Sequence, residues 1–189
     1  IFSKPSKQKY LIFDRNSTKA FNFLFKKKRF EILDRRGESI NFFVLAYTIL
    51  KDGFKNLKKH YFKNYIYLVD PKIVLSGIDN DFTFFLLKNL FPKPKYICVQ
   101  RGIRNSQHFK NLKNFRKKNV LKVDFYLVFN SVYKKKISKF VYANFLEIGS
   151  IYNNLFFKKK KLKQIKDITF ISQKKDSRPF KHEEKEVIN

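Results

Sequence analysis

Two short polar clusters hold the residue types best suited to chemistry in this sequence: Asp79-Asn80-Asp81 and Gln100-Arg101-Gly102-Ile103-Arg104. The first follows the apolar run Ile73-Val74-Leu75 after a short Ser76-Gly77-Ile78 step, and the second follows directly on Ile97-Cys98-Val99. A carboxylate such as Asp79 can accept from sugar hydroxyls or, set in a cleft, take a proton as a general base. Asn80 and Gln100 can both donate and accept, Gly102 permits close backbone approach or positive φ, and Arg104 offers a planar fork suited to phosphate or carboxylate. The set fits a polyhydroxylated, partly anionic ligand, with Asp79 as candidate base. The competing structural reading is plain: one of the three residues 79–81 caps the helix that follows, and Gly102 only turns the chain.

Elements that would position these clusters can be read from the apolar pattern. Short apolar runs predict strands at Lys9–Phe13, Arg29–Leu33, Lys72–Ser76, Tyr96–Gln100, Val123–Phe129 and Asn144–Ile148. Between them lie helical stretches: Thr18–Phe25 with Ser17 as N-cap, Glu38–Lys51, Asn56–Leu68 and Asp81–Phe91. A further helix carries Tyr133, Ile137, Phe140 and Val141 on one face. Residues 105–118 read as a loop or weak helix. Glu38–Lys51 is apolar nearly all round, which predicts a helix buried in the domain. The alternation of strand and helix predicts an α/β fold, a Rossmann-like, mostly parallel sheet with helices on both faces. Right-handed crossovers then bring every strand C-terminus to one edge, where ligands of open α/β sheets bind. Both polar clusters fall at that edge.

Length and charge set outer bounds. The chain has 189 residues, 24 of them Phe and 10 Tyr, which is ample material for a packed core. Its formal net charge of +28, from 43 Lys and Arg against 15 Asp and Glu, favours acidic partners unless the lysines reflect a compositional bias spread over the surface. The lone Cys98 sits in an apolar run and cannot form an internal disulfide, in keeping with a reducing, cytoplasmic setting. No apolar run reaches the ~20 residues that span a bilayer. His60, His108 and His182 lack the spacing of a metal site, and no P-loop, G-x-G-x-x-G or G-x-S-x-G motif occurs. Domain 1–152 is followed by a basic linker, 153–166, and then by Ile168–Ile171, a strand that opens a second domain over 167–189. The chain holds no Met and stops shortly after that strand, so a piece of a longer protein is expected.

The ordered segments carry a resemblance. They are Arg29-Phe-Glu-Ile-Leu-Asp-Arg-Arg-Gly-Glu38, Val69-Asp-Pro-Lys-Ile-Val-Leu-Ser-Gly-Ile-Asp-Asn80 and Ile97-Cys-Val-Gln-Arg-Gly-Ile-Arg104, followed by Val123-Asp-Phe-Tyr-Leu-Val-Phe-Asn130, Ile148-Gly-Ser-Ile-Tyr-Asn-Asn154 and Ile168-Thr-Phe-Ile-Ser-Gln173. In this order the chain resembles the N-terminal half of the bacterial surface carbohydrate biosynthesis proteins, glycosyltransferases of the GT-B type. The resemblance implies two Rossmann-like domains facing a cleft, with the acceptor held mostly by the first and a nucleotide sugar mostly by the second. Asp79, Asn80, Gln100, Gly102 and Arg104 would then line the acceptor side, Gly149, Ser150 and Asn154 would sit near the hinge, and Ser172 and Gln173 would end the first donor-domain strand. It implies no cofactor and no metal, the nucleotide sugar being a substrate, because helix dipoles and basic residues stabilise the leaving phosphate in such enzymes. The family pattern has Asn where this chain has Arg101.

The expected function is therefore transfer of a sugar from a nucleotide-sugar donor to a surface polysaccharide or lipopolysaccharide acceptor, glycan or lipid-linked, with the basic surface resting peripherally on the anionic inner membrane face. A fragment of this extent would be inactive alone. Two alternatives stand beside it. One is a non-enzymatic basic domain that binds nucleic acid or anionic membrane; nucleic acid is disfavoured because most aromatics occupy core-like positions. The other is a related transferase that moves a polyol phosphate.

Overall fold

In the computed structural model, residues 1–21, 25, 29–34 and 39–151 are described. The expected linker and second domain, with Asn154, Ser172 and Gln173, lie outside the described residues. Strand β1 (Tyr10–Phe13) leads through a 3-10 turn (Arg15–Ser17) into α1 (Thr18–Phe21), then β2 (Glu31–Leu33), α2 (Phe42–Asp52) and α3 (Leu57–Val69). The remainder alternates strictly: β3 (Ile73–Ser76), α4 (Phe82–Leu90), β4 (Lys95–Val99), α5 (Ser106–Arg116), β5 (Lys122–Val128), α6 (Ser131–Ile137) and β6 (Tyr142–Glu147).

The six strands form one parallel sheet in the order β2-β1-β3-β4-β5-β6. The chain steps one way from β1 to β2 and the other way from β3 to β6, so the strand order reverses between β1 and β3. Side chains alternate across the sheet, and that alternation sorts the core into two layers. Leu11, Phe13, Val74, Tyr96, Cys98 and Tyr126 face a large layer supplied by α2 to α6. Ile12, Leu75 and Val99 face a smaller one with Phe21 of α1, Phe25 and Ile151. Helical cover on both faces follows from right-handed crossovers running in opposite directions from the reversal point. The Rossmann-like α/β arrangement expected from the alternation is the one observed.

Helix starts are set by short polar side chains. Asn41 accepts from the Val44 N–H, Asp81 from Thr83, Asn105 from His108 and Asn130 from Tyr133, each satisfying a backbone donor the first turn leaves open. Asp81, in the first polar cluster, is thus a cap. Asn105 turns residues 105–118, ambiguous from sequence, into a regular helix of eleven residues.

Two local expectations fail. Ser17 does not cap α1; its hydroxyl donates to the Phe13 carbonyl at 3.1 Å and accepts from the Gly77 N–H at 2.9 Å. Nor is α2 buried all round. Val44 and Thr48 point into the core, while Phe42, Phe43 and Leu50 are exposed. An all-apolar helix tells how much it could bury but not whether anything covers its second face.

Candidate functional site

The loops after β3 and β4 meet at Asp79. Its side chain is 0% exposed and five donors converge on it. The Arg101 backbone N–H donates to Oδ1 at 3.2 Å, and Arg104 adds a two-pronged contact, Nε to Oδ2 at 3.1 Å and Nη2 to Oδ1. The hydroxyls of Tyr133 and Tyr126 donate to Oδ2 at 3.2 and 3.4 Å. A buried carboxylate is tolerable only when paired and hydrogen-bonded, and this one is both.

The surroundings titrate accordingly. Burial works against the charge of Arg104, yet the hydrogen bonds and negative charge of Asp79 outweigh it, and the net shift is upward. Burial first, and the Asp79 charge second, push the phenols of Tyr126 and Tyr133 and the Cys98 thiol above their ordinary ranges. The phenols therefore stay protonated and keep donating. With its lone pairs engaged, Asp79 offers no open face to a substrate hydroxyl, which is not the setting of a free base.

Gln100 is also committed inward. Its Oε1 accepts from the Phe129 N–H at 2.8 Å and its Nε2 donates to the Gly102 carbonyl at 3.0 Å, so one buried amide ties the tips of β4 and β5 together. Gly102 has ordinary negative-side φ, and a Cβ there would meet nothing within 4 Å. Of the two expectations for Gly102, positive φ is corrected, while open space beside its backbone is what the structure shows. Asn80 and Arg101 are exposed beside it, and Arg104 retains 17% side-chain exposure. At the tip of β6, Gly149 does take positive φ, 69°, and its N–H donates to the Phe129 carbonyl at 3.2 Å. Ser150 follows, half-buried.

The structure thus gathers Asp79, Gln100, Gly102 and Arg104 into one hub with Asn80 at its rim, while Gly149 joins it through the backbone of Phe129. Sequence reasoning missed Tyr126 and Tyr133, which it placed in the core. A signal existed: in a chain that fills its core with 24 Phe, a Tyr at an apolar position needs a partner for its hydroxyl. It also passed over His108, whose half-buried ring packs on Phe82 and Phe109. Its Nε2 has no hydrogen-bond partner among the described residues. Burial, with Arg104 adding and Asp79 opposing, lowers its pKa.

A recess of about 880 Å³ lies away from the hub between α3 and α4, lined by Phe62, Leu86, Leu87 and Leu90 with Lys58 and Lys118 at its margin. Its walls carry no carboxylate and no histidine, in contrast to the hub. Among the described residues, no three His, Cys, Asp or Glu gather as a metal would require, and no helix is long and apolar enough to cross a membrane.

A family model described as "putative O-antigen biosynthesis protein" matches residues 97–188, just under half of the chain. The match begins inside β4 and takes in Gln100, Gly102 and Arg104, linking this region to surface-carbohydrate biosynthesis. No curated protein and no solved structure matches the chain.

Proposed function

We propose that this chain is the acceptor-side domain of a GT-B-type glycosyltransferase that transfers a sugar from a nucleotide-sugar donor to a surface polysaccharide or lipopolysaccharide acceptor. The observation that carries this reading is the coincidence of the O-antigen family match with the strand-end hub: the matched segment opens in the strand that delivers Gln100 and Arg104. The parallel sheet supports it, since such sheets bind ligands beyond the strand C-termini.

Within that reading, Asp79 is a positioning residue. It fixes the Arg104 guanidinium in one orientation by a two-pronged contact, and the two tyrosines hold the carboxylate in turn. The exposed part of Arg104, together with Arg101 and Asn80, faces the rim and meets the hydroxyl and anionic groups of the acceptor or of the leaving phosphate. Gln100 keeps the β4 and β5 tips in register, and Gly102 leaves room for a sugar ring over the loop. Gly149 and Ser150 directly follow β6, the end of the sheet at which this reading expects the hinge. The base that activates the acceptor lies outside Asp79. No metal or cofactor is required, because the charged groups are those of the protein.

The test is transfer by the protein including its donor domain. Purified material is incubated with radiolabelled nucleotide sugars and a lipid-linked glycan acceptor. Label in the acceptor, lost on Arg104→Lys, supports the reading; tight binding to random DNA with a steep salt slope, and no transfer with any donor, would remove it in favour of a basic binding domain.

A further inference from the structure

The outer face of α2 presents a second feature, independent of any reaction at the strand ends. Phe42, Phe43, Ala46 and Leu50 fall within a ~100° arc of the helix, opposite Val44 and Thr48, which enter the core. Leu50 is 88% exposed and Phe54, just beyond the helix, 76%. The arc is extended at its start by Phe2, whose ring stacks on Phe42 at 4.9 Å. Residues 1–3 are held there by hydrogen bonds from the Phe42 N–H to the Ile1 carbonyl and from Asn41 Nδ2 to the Ser3 carbonyl. An apolar patch of this kind on a charged protein marks an interaction surface.

Its margin is basic. Lys51 lies over the rings of Tyr47 and Tyr67, at 5.3 and 4.8 Å, and the half-exposed Tyr67 lines a recess with Lys4, Lys7 and the ion pair of Asp70 with Lys93. Lys55 and Lys58 stand exposed in the turn and helix that follow Phe54. The acid at this end, Asp52, accepts from Asn64 at 2.7 Å and faces His60 at 3.7 Å, so it is turned to its own neighbours.

We propose that this face of α2 lies in the interface of an anionic bilayer, with Phe42, Phe43, Leu50 and Phe54 among the lipid chains and the surrounding lysines on the headgroup phosphates. The charge pattern selects this occupant. A second copy joined through the same patch would set lysine margin against lysine margin, and like charges across an interface oppose association. A nucleic acid would meet phenylalanines where it needs cations. A lipid surface uses both: apolar area drives insertion of an amphipathic helix, and juxtaposed lysines add an attraction that salt weakens.

The test uses the full chain with vesicles of phosphatidylcholine, with and without phosphatidylglycerol, followed by sedimentation. Binding should require the anionic lipid and fall as salt is added. The pair Leu50→Ser and Phe54→Ser should lower partitioning at least about tenfold without moving the melting temperature, since both side chains already face solvent. The chain has no Trp, so Leu50→Trp gives a single reporter whose emission should shift to the blue on anionic vesicles. Equal binding to both vesicles, or insensitivity to the serine pair, overturns the proposal. So does an unshifted tryptophan, or a dimer that the serine pair dissociates while vesicle binding is absent.

Discussion

Two places at the C-terminal edge of the sheet invite comparison: the reversal point between β1 and β3, and the hub between β3, β4 and β5. Strand order alone directs attention to the first, because open α/β sheets bind ligands where the order reverses. Here that crevice is occupied by the chain itself. Ser17 bridges the Phe13 carbonyl and the Gly77 N–H, and its atoms, with the Phe21 ring, stand 3.5–3.6 Å from where a Gly77 side chain would begin. The closure is neutral and satisfied. One strand over, the contacts are ionic, and space is open beyond Gly102. Topology says where a cleft can form; the residue types decide which cleft remains available.

The largest effect should come from removing the hub's anion. Asp79→Ala leaves the part-buried Arg104 without its partner and takes the acceptor from two tyrosine hydroxyls, a loss of about 3 kcal/mol by chemical denaturation. Gln100→Ala comes next: it orphans the Phe129 N–H at the β5 tip, and about 1–3 kcal/mol should be lost in the same experiment.

A smaller effect concerns pH. The pKa of His108 is lowered in the fold from its ordinary value near 6.5, so the unfolded chain takes up that proton first as the medium is acidified. Stability from this group is complete above about 6.5 and is lost as pH falls below it toward the folded value. His108→Phe should flatten that part of the stability profile, seen by comparing melting temperatures of the two proteins across mildly acidic pH.

The smallest effect on stability should be at Gly102, where a methyl group meets open space: Gly102→Ala should stay within about 0.5 kcal/mol of the parent. If the loop receives a sugar ring, the same substitution raises the acceptor KM. A change in stability with no change in KM would assign this glycine to the fold alone.

Much of this arrangement was legible in the chain. Apolar runs ending in Asp79–Asp81 and Gln100–Arg104 placed both clusters at strand ends, because strand length and polarity are local properties. What those side chains touch was not legible. Asp79 finds Arg104, Tyr126 and Tyr133, and Gln100 finds Phe129, through crossovers whose geometry no local pattern encodes. Asp79 shows why: a carboxylate at a strand tip reads the same in sequence whether its oxygens are open or, as here, engaged by five donors. Ser17 reads as a helix cap by position, yet its hydroxyl is recruited across the sheet by Gly77. The outer face of α2 failed differently, since apolar composition cannot distinguish a covered face from one left exposed.

The most direct measurement compares Ser17→Ala with Arg104→Lys in the sugar-transfer assay of the protein with its donor domain, at equal folded fraction. If the hub is the working site and the reversal point is structural, Arg104→Lys lowers transfer about a hundredfold, because a point charge cannot reproduce the fixed fork. Ser17→Ala should then lose stability but keep its turnover per folded molecule. Full transfer by Arg104→Lys together with loss of transfer in Ser17→Ala would contradict this and return the ligand to the crevice between β1 and β3.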